Sequence, residues 1–136
     1  MTKYAAFGTL FKRGAVEVAQ VVDISGPNLS ADTVDVTSHD STGGWEEHVV
    51  TILRSGDVTL ELVWDPNAVT HKNAAGGLLD DLTDKTAVTY SIVFPSSGTV
   101  TWEFSAFVVG FAPSAPSSGH LSATVTLKIT GQPTLV

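Results

Sequence analysis

The chain has no cysteine among its 136 residues, which excludes disulfides and thiolate metal sites. Basic side chains are scarce: 7 Lys and Arg stand against 14 Asp and Glu, a net charge of −7. That balance argues against wrapping DNA or binding an anionic membrane, since both need clustered cations, and here only Lys12 and Arg13 are adjacent. Long apolar runs are also missing. The longest nearly uncharged stretch, Phe104 to Leu127, is interrupted by Pro113, Pro116, Gly119 and His120, which rules out the roughly 20 consecutive apolar residues of a spanning helix. Met1-Thr2-Lys3-Tyr4 begins no signal-peptide pattern, and the reading is of a soluble protein made in a cytoplasm. Charged residues make up only 15% of the chain and hydrophobic ones 43%, against a usual charged share of about 25%. Surface that is neither charged nor buried points to self-association. A Thr/Ser-rich β-domain with a polar, uncharged solvent face accounts for the same figures.

The signatures of catalysis are absent as well. There is no phosphate-cradling glycine loop, no Gly-x-Ser-x-Gly elbow and no His-Glu-x-x-His. Serines and acids are plentiful, but without geometry they define no catalytic residue. His39 and Asp40 with Glu46, Glu47 and His48 form the best metal-like cluster, yet their spacing matches no site pattern. They are read as solvated loop residues, as are His71 and His120. Asp80, Asp81 and Asp84 lack calcium-loop spacing and its closing Glu, and read as a solvated helix face or an acidic wall. The expectation is a non-enzyme with no metal and no cofactor.

What the chain does have is alternation with period two, the mark of strands with one buried face. Val16, Val18, Val22 and Ile24 alternate with more polar neighbours, as do Val58, Leu60, Leu62 and Trp64, and Val88, Tyr90, Ile92 and Phe94. Leu121 to Thr130 is the cleanest case, with Ala123, Val125, Leu127 and Ile129 on one side. From Thr99 to Phe111 the phase changes: Val100, Trp102 and Phe104 share one parity, Phe107, Val109 and Phe111 the other. A β-bulge near Ala106 is predicted there. Trp64 and Trp102 fall on apolar parity and are expected in the core, leaving Trp45 exposed.

Residues 70–82 break the pattern, with Ala75, Leu78, Leu79 and Leu82 at helical spacing and Thr70 as a candidate N-cap. The predicted fold is mainly β, an antiparallel sandwich or barrel-like core with one short flanking helix, in a single domain over residues 1–136. Residues 38–55 form a long loop, predicted to be mobile. It carries His39, Trp45, His48, Val49, Val50, Ile52 and Leu53, costly to leave in water. It therefore docks on something, a neighbouring subunit being a good candidate; a further strand over Val49 to Leu53 is the alternative.

The ordered series Asp35-Val36-Thr37-Ser38, Gly44-Trp45-Glu46, Gly56-Asp57-Val58, Trp64-Asp65-Pro66 and His71 resembles the major tail tube protein of bacteriophages with long, non-contractile tails. The resemblance spans nearly the whole chain. It implies a virion structural protein, made in the host bacterial cytoplasm, whose subunits form rings, six to a ring, with sheets joined around the lumen. The rings stack into a tail tube through which double-stranded DNA passes without specific binding. It further implies contacts with a tape measure protein, a tail terminator and distal tail or baseplate proteins, and no membrane. The long loop would order against neighbouring subunits, which makes His39, Asp40, Trp45, Glu46, Glu47, His48, Val49, Val50, Ile52 and Leu53 the interface residues. No lumen-facing residue is assigned at this point. The type VI secretion tube protein shares the implied architecture. A small β-sandwich module binding carbohydrate or protein through Trp45 is the rival reading, and a hydrolase a distant third.

Overall fold

The alternating stretch that begins after Leu121 becomes the central strand of a large antiparallel sheet. The computed structural model describes residues 1–136, with strands β1 (Leu10–Arg13), β2 (Val16–Glu17), β3 (Val21–Ser25), β4 (Ser30–Asp35), β5 (His48–Arg54), β6 (Asp57–Val63), β7 (Val88–Val93), β8 (Thr101–Ser114) and β9 (Ser122–Leu135). A single α-helix, α1, spans Leu78–Asp84. Seven strands make one sheet in the order β2-β1-β7-β8-β9-β6-β3, while β4 and β5 form a separate pair. The large sheet curls until β1 and β3, near its opposite ends, touch. The result is a half-barrel rather than two stacked sheets.

Alternation sets which face is inside. Val58, Leu60, Leu62, Tyr90, Ile92, Phe104, Ala106, Val108, Ala123, Val125, Leu127 and Ile129 are buried on the concave face. Cross-strand register puts Val58 beside Leu127 and Leu60 beside Val125, pairs that share a face and pack directly. Trp64 and Trp102 pack against this core while staying partly exposed. In β8 the inward parity runs on through Ala106 to Val108, and the register shifts lie at Glu103/Ser105 and Val108/Gly110. The predicted bulge is thus displaced along the strand from Ala106, and Phe111 is returned to the core side, edge-on to Trp64 at 5.9 Å. The Val16–Ile24 alternation is likewise interrupted, because Gln20 takes a left-handed φ of 58° between β2 and β3. Val18 is buried but Val16 and Val22 are exposed.

Helix α1 is shorter than the sequence pattern over residues 70–82. Thr70 is no N-cap: its hydroxyl accepts from the Ala19 amide at 3.2 Å, and residues before Leu78 are turns. His71, expected in solvent, is fully buried. Its Nδ1 accepts from the Asp65 amide at 3.2 Å and its Nε2 donates to the Ala19 carbonyl at 2.6 Å, which requires the neutral Nε2–H tautomer. Asp81 is also buried rather than solvated. The Arg13 guanidinium grips it with two bonds of 2.8 Å, and the Tyr90 hydroxyl donates to the same carboxylate. Burial, followed by the Asp81 hydrogen bond, raises the Tyr90 pKa well above the ordinary phenol value, so Tyr90 remains a donor. These polar ties, more than helix propensity, hold α1 on the sheet, since a seven-residue helix is too short to be stable alone.

Candidate assembly surface

The β4–β5 pair leaves the barrel as an arm. Read as a loop in the sequence, residues 48–54 form a strand instead, and the register pairs Ala31 with Leu53, Thr33 with Val50, Val34 with Val49 and Asp35 with His48. Partners in an antiparallel pair share a face. Leu53 and Val50 therefore lie on one side and Val34 and Val49 on the other. No residue of either strand is buried; Leu53 is 78% exposed and Ile52 57%. An isolated two-stranded hairpin is marginal in water, and this one carries apolar side chains on both faces.

Polar bonds hold its shape. Arg54 donates to Asp32 through Nη2 at 2.7 Å and through Nε at 3.0 Å, and this bond lowers the Asp32 pKa. Near the tip, Thr37 bonds to Asp35 and, with a smaller contribution from His48, lowers the Asp35 pKa. The Glu47 amide donates to the Thr37 hydroxyl at 2.8 Å. The tip itself is a 3₁₀ turn, Thr42–Gly44, in which Gly43 and Gly44 have φ of 65° and 75°. Such angles favour glycine, and they present Trp45 to solvent at 77% exposure. At the root, Gly56 has a φ of 72°, and a Cβ there would lie 2.5 Å from the Asn28 carbonyl oxygen. Only glycine lets the two strands cross so closely as they leave the barrel.

The interface residues inferred from sequence are accordingly all on the arm. His39, Asp40, Trp45, Glu46 and Glu47 sit at its exposed tip, His48, Val49, Val50, Ile52 and Leu53 on β5. His48 Nε2 approaches Glu46 Oε2 at 3.5 Å, but these tip residues form no group of three or more that could hold a metal. Sequence reading missed Val34 and Val36 as interface candidates, two of the seven large apolar residues exposed on the arm; their alternation within 31–36 was the available signal.

A second uncovered surface lies on the convex side of the barrel. Beyond Ala106, β8 pairs with β9 alone, and β3 pairs with β6 alone. Strands β3, β6, β9 and the distal half of β8 thus form a four-stranded sheet with no further hydrogen-bonded strand beyond β3 or beyond distal β8, although β1 touches β3 and α1 touches β8. Its outward face has the cross-strand rows Asp23–Glu61–Thr124–Ala112 and Ser25–Thr59–Thr126–Gly110. Nothing packs on these hydroxyls and acids, and the one cation among them, Lys128, is bonded to Asp57 at 3.2 Å.

A half-barrel with open sheet edges and an apolar arm that its own chain leaves uncovered has the makings of a structural subunit that self-associates. The family model described as "Lambda phage tail tube protein, TTP" matches residues 3–136, and the chain belongs to that family of tail tube proteins, components of virion tails. No curated protein sequence matches it. Among solved structures, a chain of the virion of a native gene transfer agent particle is similar at 17% identity, with a TM-score of 0.80 over 98% of this chain and 99% of that one. A chain from the tail of an empty gene transfer agent particle, computed with helical refinement and C6 symmetry, gives 18% identity and a TM-score of 0.79 over the same shares. A chain from the sheath/tube terminator of an extracellular contractile injection system, PVC, in the extended state, has 15% identity and a TM-score of 0.76 over 100% of this chain and 98% of that one. These likenesses show the same fold, and the family is one of structural tail tube proteins.

Proposed function

We propose that this protein polymerises as six-membered rings stacked into a tail tube that conducts double-stranded DNA, a role without a catalytic step. The observation that carries this reading is the β4–β5 arm, whose apolar residues on two faces find no cover in their own chain. Burying Val34, Val49, Val50, Ile52 and Leu53 against neighbours stabilises an assembly by about 1.5 kcal/mol or more per side chain. Six-fold symmetry follows the C6 tail to which the fold is similar. In such a ring the open edge of β3 meets the distal edge of β8 on the next copy, continuing the sheet around a lumen. The face bearing Asp23, Glu61, Thr59, Thr124 and Thr126 then lines the channel, where acids repel DNA and hydroxyls offer it no cationic anchor. The tape measure protein would fill this lumen before DNA does. The exposed ends of the tube would meet a terminator on one side and distal tail or baseplate proteins on the other. Negative-stain electron microscopy of the concentrated chain tests the reading: hollow tubes or stacked rings are the expected result, and a persistent monomer over the whole accessible concentration range overturns it.

A further inference from the structure

The two ends of the large sheet are joined by a very short piece of chain. Strand β2 lies at one end of the strand order and β3 at the other, yet only Val18, Ala19 and Gln20 separate them in sequence. Strands β1 and β3 touch, but no ladder of hydrogen bonds crosses from β1 or β2 to β3, so strand pairing does not fix the width of this seam. Its two banks are held separately. The Val18 amide donates to the Phe11 carbonyl in β1 at 2.9 Å, and the Gln20 carbonyl accepts from the Val63 amide at the end of β6 at 2.9 Å. Ala19 lies between the banks. Its amide donates to the Thr70 hydroxyl at 3.2 Å, and its carbonyl accepts from His71 Nε2 at 2.6 Å. Next to it Gln20 holds a left-handed φ of 58°, a conformation that a residue with a Cβ keeps only where its surroundings impose it. Thr70 and His71 are buried and are themselves placed by local bonds. The Asp65 amide donates to His71 Nδ1 at 3.2 Å, and the Leu78 amide, at the start of α1, donates to the Thr70 carbonyl at 2.9 Å. One buried imidazole thus ties the connection between β6 and α1 to the closing point of the half-barrel.

We propose that His71 is a positioning residue for ring closure: its bond to Ala19 sets how far the sheet curls, and hence the angle between the β3 and distal β8 edges through which copies join. This rests on the tube reading and assigns a residue to its geometry. Head-to-tail contacts close into a ring only when the turn per copy is a whole fraction of a circle, and otherwise run on as open polymers. A seam zipped by ladder bonds would resist a change of curl along its whole length. This seam has none, so its curl depends on packing and on the polar ties at its closing point. Without the Nε2 bond, β3 is free to swing with β6 against β1, and the turn between copies is no longer fixed at one sixth.

Substitutions at His71 separate this role from simple stabilisation. His71→Gln keeps a side-chain N–H able to reach the Ala19 carbonyl, whereas His71→Asn keeps only an acceptor near the Asp65 amide, and His71→Ala keeps neither. Val125→Ala, in the core of the central strand, calibrates what a loss of stability alone does to assembly. Urea unfolding reads monomer stability, and negative-stain electron microscopy reads tube diameter and the concentration at which tubes appear. Beyond the Val125→Ala calibration, His71→Ala and His71→Asn are expected to raise that concentration roughly tenfold and to give mixed diameters or open ribbons. His71→Gln is expected to stay within about twofold of wild type, with one diameter. Assembly that follows monomer stability in all four variants overturns the positioning role and leaves the tube reading standing. A His71→Gln chain that assembles no better than His71→Asn overturns it too, because the Ala19 bond is then not the one that matters. If His71→Ala does not fold, the contrast between Gln and Asn decides by itself. A wild-type chain that forms no tubes overturns the tube reading and the positioning role with it.

Discussion

The half-barrel and the arm are built from the same residue types in the same alternation, yet they use them in opposite ways. In β6, Val58, Leu60 and Leu62 are fully buried because β9 and β3 flank them in a sheet that curls around its own core. In β5, Val49, Val50, Ile52 and Leu53 are exposed because only β4 lies beside them. One region has completed its core within the chain. The other leaves its apolar residues uncovered, so on the proposed reading changes in the barrel should register in monomer stability and changes in the arm in assembly.

Asp81→Ala is expected to give the largest effect. It leaves Arg13 without its partner and removes the acceptor of a buried tyrosine. Breaking a buried pair in this way costs about 3–5 kcal/mol; urea unfolding of the monomer measures it, and a loss below about 1 kcal/mol would place the strength of the α1 anchor elsewhere. Trp45→Ala should do the reverse. Monomer stability stays within about 0.5 kcal/mol, while assembly weakens by about 2 kcal/mol, roughly thirtyfold in critical concentration, as befits an aromatic anchor. A mutant that assembles like wild type removes Trp45 from the interface.

Gly56→Ala probes the joint between the regions. The positive φ and the Asn28 carbonyl leave no room for a Cβ, and the strain is of order 1–3 kcal/mol. The loss is expected to appear in assembly at least as strongly as in unfolding, because the arm is re-aimed. The smallest effect is acidification. Asp32 and Asp35 are held below their ordinary pKa by Arg54 and Thr37 respectively. Groups depressed in the folded state contribute order that is complete above the ordinary carboxylate value of about 3.9 and lost as pH falls through the lowered value. NMR amide shifts of residues 31–33 and 52–54, around the Asp32–Arg54 pair, should therefore hold steady down to about pH 4 and change below it, ahead of the barrel. Simultaneous change in both regions would show that the arm has no titration of its own.

Much of the barrel was legible because burial of one strand face imposes a period of two, as in Ala123 to Ile129. Legibility failed where polar groups are satisfied at long range. Nothing near His71 in the sequence indicates that Ala19, 52 residues earlier, will accept from its Nε2. Nothing beside Asp81 announces Arg13, 68 residues away. The arm fell between these cases: the apolar content of Val49 to Leu53 marked it as a surface needing a partner, while its pairing with residues 30–35 was hidden by weak alternation on both faces. The bulge in β8 was foreseen in kind but not in place, since register is fixed by β9 rather than by β8 itself.

By itself the sequence determined that this is a mainly β chain with too few charges for its apolar content, bearing the ordered motifs of a tail tube subunit. Those properties reside in composition and local periodicity, which each strand carries wherever it lands. Only the tertiary structure decided that His71 and Asp81 are buried, that β8 leaves an open edge past Ala106, and that the arm is a hairpin. Each depends on which distant segments come together, and hydrogen bonds and packing between segments far apart leave no mark in either segment alone.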